Sequence, residues 1–211
     1  MPITPKDITK TYLALGDSYT IGEAVPGTES YPYMLVQRLN QQGLNFSYPP
    51  KVIATTGWTT DNLINAIAQS GLEGKTFDMV TLLIGVNDQY QGLSQDNYRV
   101  KFKQVLESAI AFAGGNKSHV FVLSIPDWGV TPFAGGKEAE VGPLIDQFNG
   151  INRSISEAEG VNYLDITGIS RQAATEPDLI ANDGLHPSGK MYELWVDQLA
   201  PLVVAKLSIP E

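Results

Sequence analysis

Ser18 stands at the end of an apolar, strand-like run, Leu13-Ala14-Leu15-Gly16-Asp17-Ser18-Tyr19-Thr20. A serine hydroxyl is a weak nucleophile until an imidazole takes its proton, and the imidazole needs an acceptor that fixes its tautomer. Both partners occur together near the other end of the chain, in Asp183-Gly184-Leu185-His186-Pro187. A separation of three residues lets Asp183 and His186 meet within one turn. The carboxylate can then accept from one ring nitrogen while the other faces Ser18. The three together have the chemistry of acyl transfer through a covalent intermediate, which points to ester hydrolysis. Each stretch alone is ambiguous. Gly-Asp-Ser also suits a helix N-cap, and Asn182-Asp183-Gly184 and His186-Pro187 are strong turn formers. The chain's other histidine, His119, opens a predicted strand and belongs at the opposite end of the sheet as a structural residue.

Acyl transfer also needs hydrogen-bond donors aimed at the oxyanion of the tetrahedral intermediate. Ser18 N–H can face the same side as its own hydroxyl, because Gly16 lets the backbone turn sharply. Two further turns supply candidates. Thr55-Thr56-Gly57-Trp58-Thr59 offers the Gly57 N–H, where lack of a Cβ permits close approach. Ile84-Gly85-Val86-Asn87-Asp88 offers the Asn87 side-chain amide. A glycine turn before a helix cap and an Asx turn after a strand account for the same residues without chemistry.

These turns are useful only if the fold brings them to one place. Short apolar runs at 11–16, 51–55, 78–84, 119–125 and 161–166 predict strands. Helical spacing predicts helices near 30–43, 59–70, 94–113, 142–158 and 188–207, the last carrying Met191, Leu194, Trp195, Leu199, Leu202 and Val203 at helical period behind a Ser188 cap. Near-continuous Val, Ile and Leu runs mark strands buried on both faces, and alternation with helices predicts a three-layer α/β/α fold on a parallel sheet. Ligands of open parallel sheets bind beyond the carboxyl ends of the strands. Asp17 and Ser18, Gly57, Asn87, and Asp127 with Trp128 all follow predicted strands, so they should converge at one edge.

Composition bounds the reading further. A chain of 211 residues with 43% hydrophobic and 18% charged residues suits one globular domain over residues 1–211. A net charge of −9 without a Lys or Arg cluster argues against nucleic acid. With no cysteine, disulfides and thiolate metal sites are excluded. No apolar run approaches the roughly 18 residues of a membrane span. Met1–Asp7 lacks the apolar core of a secretory leader. The compartment stays open between cytoplasm and secretion with a leader removed, as does the oligomeric state.

Gly16-Asp17-Ser18, Gly57, Gly85-x-Asn87-Asp88 and Asp183-x-x-His186 follow the order and spacing of the GDSL, or SGNH, hydrolases, a resemblance covering residues about 11 to 190. Four blocks in order are far more specific than the short Gly-Asp-Ser match. The resemblance implies a flavodoxin-like fold with five parallel strands and hydrolysis of a small-molecule ester with no metal or cofactor. It implies Ser18 as nucleophile, His186 as base and Asp183 as orienting acid, with Ser18 N–H, Gly57 N–H and Asn87 as oxyanion donors. The first block reads Gly-Asp-Ser-Tyr rather than Gly-Asp-Ser-Leu. Tyr19 therefore faces the core or the pocket rim, where it bears on substrate fit. Trp58 and Trp128 are candidate substrate contacts, and 125–136 is a candidate wall or lid whose Trp128 and Phe133 would otherwise cap the core. Asn87 to Gln91 add polar groups near the site, which favours a polar or sugar-bearing ester over a long lipid. Two other readings compete. Asp17, Asp88, Asp127, Asp183 and His186 would ligate a hard divalent cation in a metal-dependent hydrolase. A non-catalytic α/β module binding a carbohydrate or nucleotide is the other, although no Gly-rich phosphate loop is present.

Overall fold

The computed structural model describes residues 9–208; the leader-free reading of Met1–Asp7 and the outermost residues of the proposed domain lie outside them. The five apolar runs form strands β1 Tyr12–Gly16, β2 Lys51–Ala54, β3 Met79–Leu83, β4 Val120–Leu123 and β5 Asn162–Leu164. They make one sheet in the order β2-β1-β3-β4-β5, every neighbouring pair parallel. β1, β3 and β4 are buried at every position, as strands covered on both faces must be, so their sequences show no polar alternation. The edge strands β2 and β5 are partly exposed.

The helices among the described residues are α1 Ser18–Ile21, α2 Tyr31–Gln41, α3 Thr60–Gln69, α4 Val86–Tyr90, α5 Gln95–Phe112, α6 Glu138–Glu159, α7 Thr167–Arg171 and α8 Gly189–Leu207. The long ones match the expected ranges. α6 alone starts about a turn early. Gly142-Pro143 reads as a helix start because proline suits a first turn. In the structure the Lys137 carbonyl instead accepts from the Glu140 and Val141 amides at 3.0 and 2.9 Å, and Pro143 lies inside the helix. α1, α4 and α7 are single turns, too short for hydrophobic periodicity to reveal. α2 packs against α8, while α5 lies against both α3 and α6, completing the three-layer, flavodoxin-like arrangement. The α2–α8 contact is aromatic, with the buried Tyr31 ring 6.4 Å from Tyr192 and 6.2 Å from Trp195. No helix among the described residues is long and apolar enough to cross a membrane.

The chain leaves β1 for β2 on one side and then passes to β3 on the other, so a crevice opens between β1 and β3 at their carboxyl ends. The turn after β3 is shaped by packing beneath it. Gly85 has φ 129°, and a Cβ there would come within 2.5 Å of Tyr98 Oη. That hydroxyl donates to the Ile84 carbonyl at 3.1 Å. Gly85→Ala must strain the backbone and displace Tyr98, so we expect a loss of about 1–3 kcal/mol. Urea unfolding checks this, and an unchanged midpoint would mean that the turn is not held by Tyr98.

Candidate active site

β1 ends at Gly16, and the next residue, not Ser18, caps the short helix. Asp17 Oδ1 accepts from Tyr19 N at 3.0 Å, which leaves the Ser18 hydroxyl free of capping duty. Ser18 is the first residue of α1 and lines a pocket of about 150 Å³. Tyr19 is buried and also lines this pocket, and its ring meets His186 edge-on with centroids 5.7 Å apart.

His186 and Asp183 sit on a turn closed by its own backbone bonds. Ala181 N donates to the His186 carbonyl and Ser188 N to the Leu179 carbonyl, both at 2.8 Å. Asp183 Oδ2 lies 2.5 Å from His186 Nδ1, and Asp183 Oδ1 accepts the Leu185 and His186 amides at 3.0 Å. Partial burial alone would push the Asp183 carboxyl up. The bonds from the His186 ring and the two amides outweigh it and hold the carboxyl below its ordinary value. With Nδ1 engaged, Nε2 is the ring nitrogen left for the pocket that His186 shares with Ser18. No hydrogen bond joins the two side chains, and such pairs are often looser than a formed bond until the acyl group is engaged.

Gly57 lies in the turn where Trp58 N donates to the Thr55 carbonyl at 3.3 Å. Its φ is 81°, and no atom stands within 4 Å of where a Cβ would lie. The backbone conformation, rather than crowding, therefore calls for glycine here. Asn87 lies in α4, and its Nδ2 donates to the Trp58 carbonyl at 2.9 Å. A primary amide carries two hydrogens, so this bond orients the group and leaves one hydrogen for the pocket.

Ser18, Gly57, Asn87 and His186 all line the same pocket, with Thr56, Val86, Leu185 and an aromatic wall. The wall is Tyr90, Trp128 and Phe133, with centroids 5.3 Å apart for Tyr90–Trp128 and 6.0 Å for Trp128–Phe133. Trp128 is nearly buried and its Nε1 donates to Gln89 Oε1 at 2.8 Å, whereas Tyr90 and Phe133 are half-exposed at the mouth. The 125–136 segment is therefore a tethered wall. Asp127 accepts from Gly129 N and Arg171 Nε, both at 2.8 Å, and Phe133 N donates to the Gly184 carbonyl at 2.9 Å.

Trp58 is not among the residues that line the pocket; its partly buried side chain packs against the core, and its carbonyl accepts from Asn87. Of the polar residues from Asn87 to Gln91, Asn87 and Tyr90 line the pocket, whereas Asp88 and Gln89 are bonded away from it. Asp88 is buried on Thr60, and Gln89 is spent on the Trp128 indole. The carboxylates of the metal reading are dispersed. Asp17 is buried beneath α1, Asp88 bonds Thr60, Asp127 pairs with Arg171 and Asp183 with His186. Among the described residues no three His, Asp or Glu side chains group to hold an ion. His119 precedes β4, at the far edge of the sheet. Tyr90 and Phe133 complete a wall of which only Trp128 was singled out as a substrate contact. Their signal in the sequence is an exposed-type aromatic just beyond a strand end.

The sequence matches the GDSL-like Lipase/Acylhydrolase family over residues 14–194. The chain belongs to that family and is a hydrolase acting on ester bonds. Solved structures share its fold. The psychrotrophic esterase EstA from Pseudoalteromonas sp., crystallised inhibited by monoethylphosphonate, is 18% identical with a TM-score of 0.70, covering 95% of this chain and 100% of its own. The lipase/acylhydrolase from Enterococcus faecalis is 17% identical with a TM-score of 0.72, over 94% and 97%. Axe2, an acetylxylan esterase from Geobacillus stearothermophilus, is 17% identical with a TM-score of 0.68, over 95% of each chain. Comparison with curated proteins by sequence finds no match.

Asp17 carries a pH dependence of its own. It is fully buried, its Oδ2 has no hydrogen-bond partner, and burial pushes its pKa up to about 8. The folded chain thus keeps a proton that the unfolded chain releases near its ordinary value. Stability from the neutral form is complete below that value and is lost as pH rises toward about 8. Asparagine mimics the neutral carboxyl and can keep the bond from Tyr19 N. We expect Asp17→Asn to flatten the decline in unfolding free energy over that window, measured by urea titration at several pH values. An identical slope in both proteins would show that Asp17 does not hold the proton.

Proposed function

We propose that this chain is a single-domain serine esterase that hydrolyses small carboxylic esters through an acyl-enzyme. The observation that carries the reading is the Asp183–His186 pair, joined at 2.5 Å, opening on the same pocket as the Ser18 hydroxyl. Ser18 Oγ attacks the acyl carbon and its proton passes to His186 Nε2, while Asp183 holds the Nδ1 proton and the ring. Negative charge on the former carbonyl oxygen is met by Ser18 N–H, Gly57 N–H and the free Asn87 hydrogen. The intermediate collapses, the C–O bond to the alcohol breaks, and His186 returns the proton to the leaving oxygen. Water then attacks the acyl group, giving its proton to His186, and the carboxylic acid leaves as Ser18 is regenerated. None of these steps requires a metal or cofactor.

The substrate reading rests on size and lining. A pocket of about 150 Å³ suits a short acyl group, acetyl to butanoyl, and a long chain would have to extend out through the mouth. The half-exposed Tyr90 and Phe133 rings would meet the alcohol part at the mouth. An acetyl group on a sugar satisfies both requirements, and the fold shared with Axe2, an acetylxylan esterase, supports that class.

Ser18→Ala and His186→Ala should each lower kcat on the order of 10⁴–10⁶-fold with unchanged thermal unfolding. Asp183→Asn should lower it by about 10⁴-fold through loss of the correct tautomer. His119→Ala should behave as the parent. Equal damage from His119→Ala and His186→Ala would overturn the choice of base.

Dialysis against EDTA should leave the rate on 4-nitrophenyl acetate unchanged, and kcat/KM should fall at least about tenfold from butanoyl to decanoyl esters as the chain outgrows the pocket. Rate loss on chelation, restored by a divalent cation, would favour the carboxylate reading instead. A decanoyl ester turned over as well as acetyl would refute the size limit.

A further inference from the structure

We infer that Asp88 is a positioning residue that clamps the Gly57 turn to the Asn87 helix and so sets the spacing of the oxyanion donors. This rests on the roles given above to Gly57 and Asn87. Asp88 is fully buried and does not line the pocket, so it does not act on the substrate itself. Its Oδ2 accepts from Thr60 N at 2.9 Å, and its Oδ1 accepts from Thr60 Oγ1 at 2.6 Å. Thr60 is the first residue of α3, three residues beyond Gly57. Asn87, next to Asp88, donates to the Trp58 carbonyl at 2.9 Å, one residue beyond Gly57.

Two consecutive side chains of α4 thus grip residues 58 and 60 from one side. The gripped segment is itself stiff. Thr59 N donates to Asn62 Oδ1 at 3.0 Å and Asn62 N to Thr59 Oγ1 at 3.4 Å, a reciprocal cap at the start of α3. The Gly57 N–H and the Asn87 amide therefore belong to one rigid unit whose internal distance depends on the Asp88 carboxylate. Without that carboxylate, Asn87 would be left to hold the turn alone while also serving the substrate.

The residue type follows from the donors. Thr60 presents an N–H and an O–H to one side chain, and only a carboxylate offers two acceptor oxygens for them. A carboxamide keeps one acceptor for the Thr60 N–H, and its NH₂ meets Thr60 Oγ1 only if the hydroxyl turns to accept, which reverses that bond. Burial pushes the Asp88 carboxyl up, and the two bonds from Thr60 oppose that shift.

The test uses Asp88→Asn, Thr60→Val, Thr60→Ser and Asn87→Ala, assayed well below each variant's melting temperature on 4-nitrophenyl acetate. Asp88→Asn should lower kcat by about 10–100-fold with KM within about threefold, since misplaced donors affect the transition state more than the ground state. Thr60→Val should lower kcat by roughly three- to tenfold, and Thr60→Ser should restore it, because serine keeps the hydroxyl. If Asp88→Asn does not fold, the Thr60 pair carries the test. Asn87→Ala should lower kcat by roughly 10²–10³-fold. Adding Asp88→Asn to it should cost only a few-fold more, as expected for residues acting through one device. A fully additive double variant, or Asp88 and Thr60 variants that lower only the melting temperature, would overturn the clamp while leaving the esterase reading intact. A near-normal kcat in Asn87→Ala would instead overturn the oxyanion assignment, and the clamp with it.

Discussion

Because Gly16 at the end of β1 pairs with Ala54 at the end of β2 and with Leu83 at the end of β3, three turns leave the sheet at one level. Those turns carry Ser18, Gly57 and Asn87. A strand advances about 3.3 Å per residue, so slipping one pairing by a single residue would shift these residues relative to one another by more than a hydrogen-bond length. Slippage would also turn a strand's side chains to the opposite faces. In β1 and β3 every residue is buried, so each position must fit its own packing, and that packing holds the register. Core packing and the geometry of the pocket floor are thus one constraint.

Three buried carboxylates surround this floor, and each meets the cost of burial differently. Asp127 is paired with the Arg171 guanidinium and accepts the Gly129 amide, anchoring the loop that carries Trp128. Asp88 accepts two hydrogen bonds from one threonine. Asp17 has only the Tyr19 amide, and without a second partner its pKa is pushed up to about 8. An ionised carboxylate taken out of water with so little compensation costs more than holding the proton. Carboxylates close in sequence to the strand ends are therefore spread among separate structural tasks.

The convergence of the strand-end turns was legible because it needs only strand positions and the rule that parallel sheets bind ligands at their carboxyl edge. The blocks around Ser18, Gly57, Asn87 and Asp183–His186 were legible by their order, and all but Asp183, which backs His186, line the pocket. Side-chain direction inside single-turn helices was not. Ser18 and Asp17 both suit a cap, and only the fold shows that Asp17 takes it. Gln89 and Asp88 read as polar groups near the site, yet α4 turns them into the protein. Trp58 stands beside Gly57 in sequence but directs its ring to the core and its carbonyl to Asn87. In each case the residue's place in the chain fixed its neighbourhood, while its direction depended on contacts from distant elements.

The site has two halves of different construction. Ser18, Gly57 and Asn87 rise directly from the sheet, whereas Asp183 and His186 ride on a turn that closes on itself between Leu179 and Ser188. That turn meets the elements around the pocket through the Tyr19 ring edge against His186 and the bond from Phe133 N to the Gly184 carbonyl, among other contacts. Phe133 belongs to the aromatic wall, whose Trp128 is tied back to α4 through Gln89 and whose Asp127 is tied to Arg171. The segment that walls the pocket is therefore also bonded to the turn that carries Asp183 and His186. Phe133 reaches Gly184 through its backbone amide, so a smaller side chain at Phe133 or Tyr90 would widen the mouth while that bond still ties the wall to the turn.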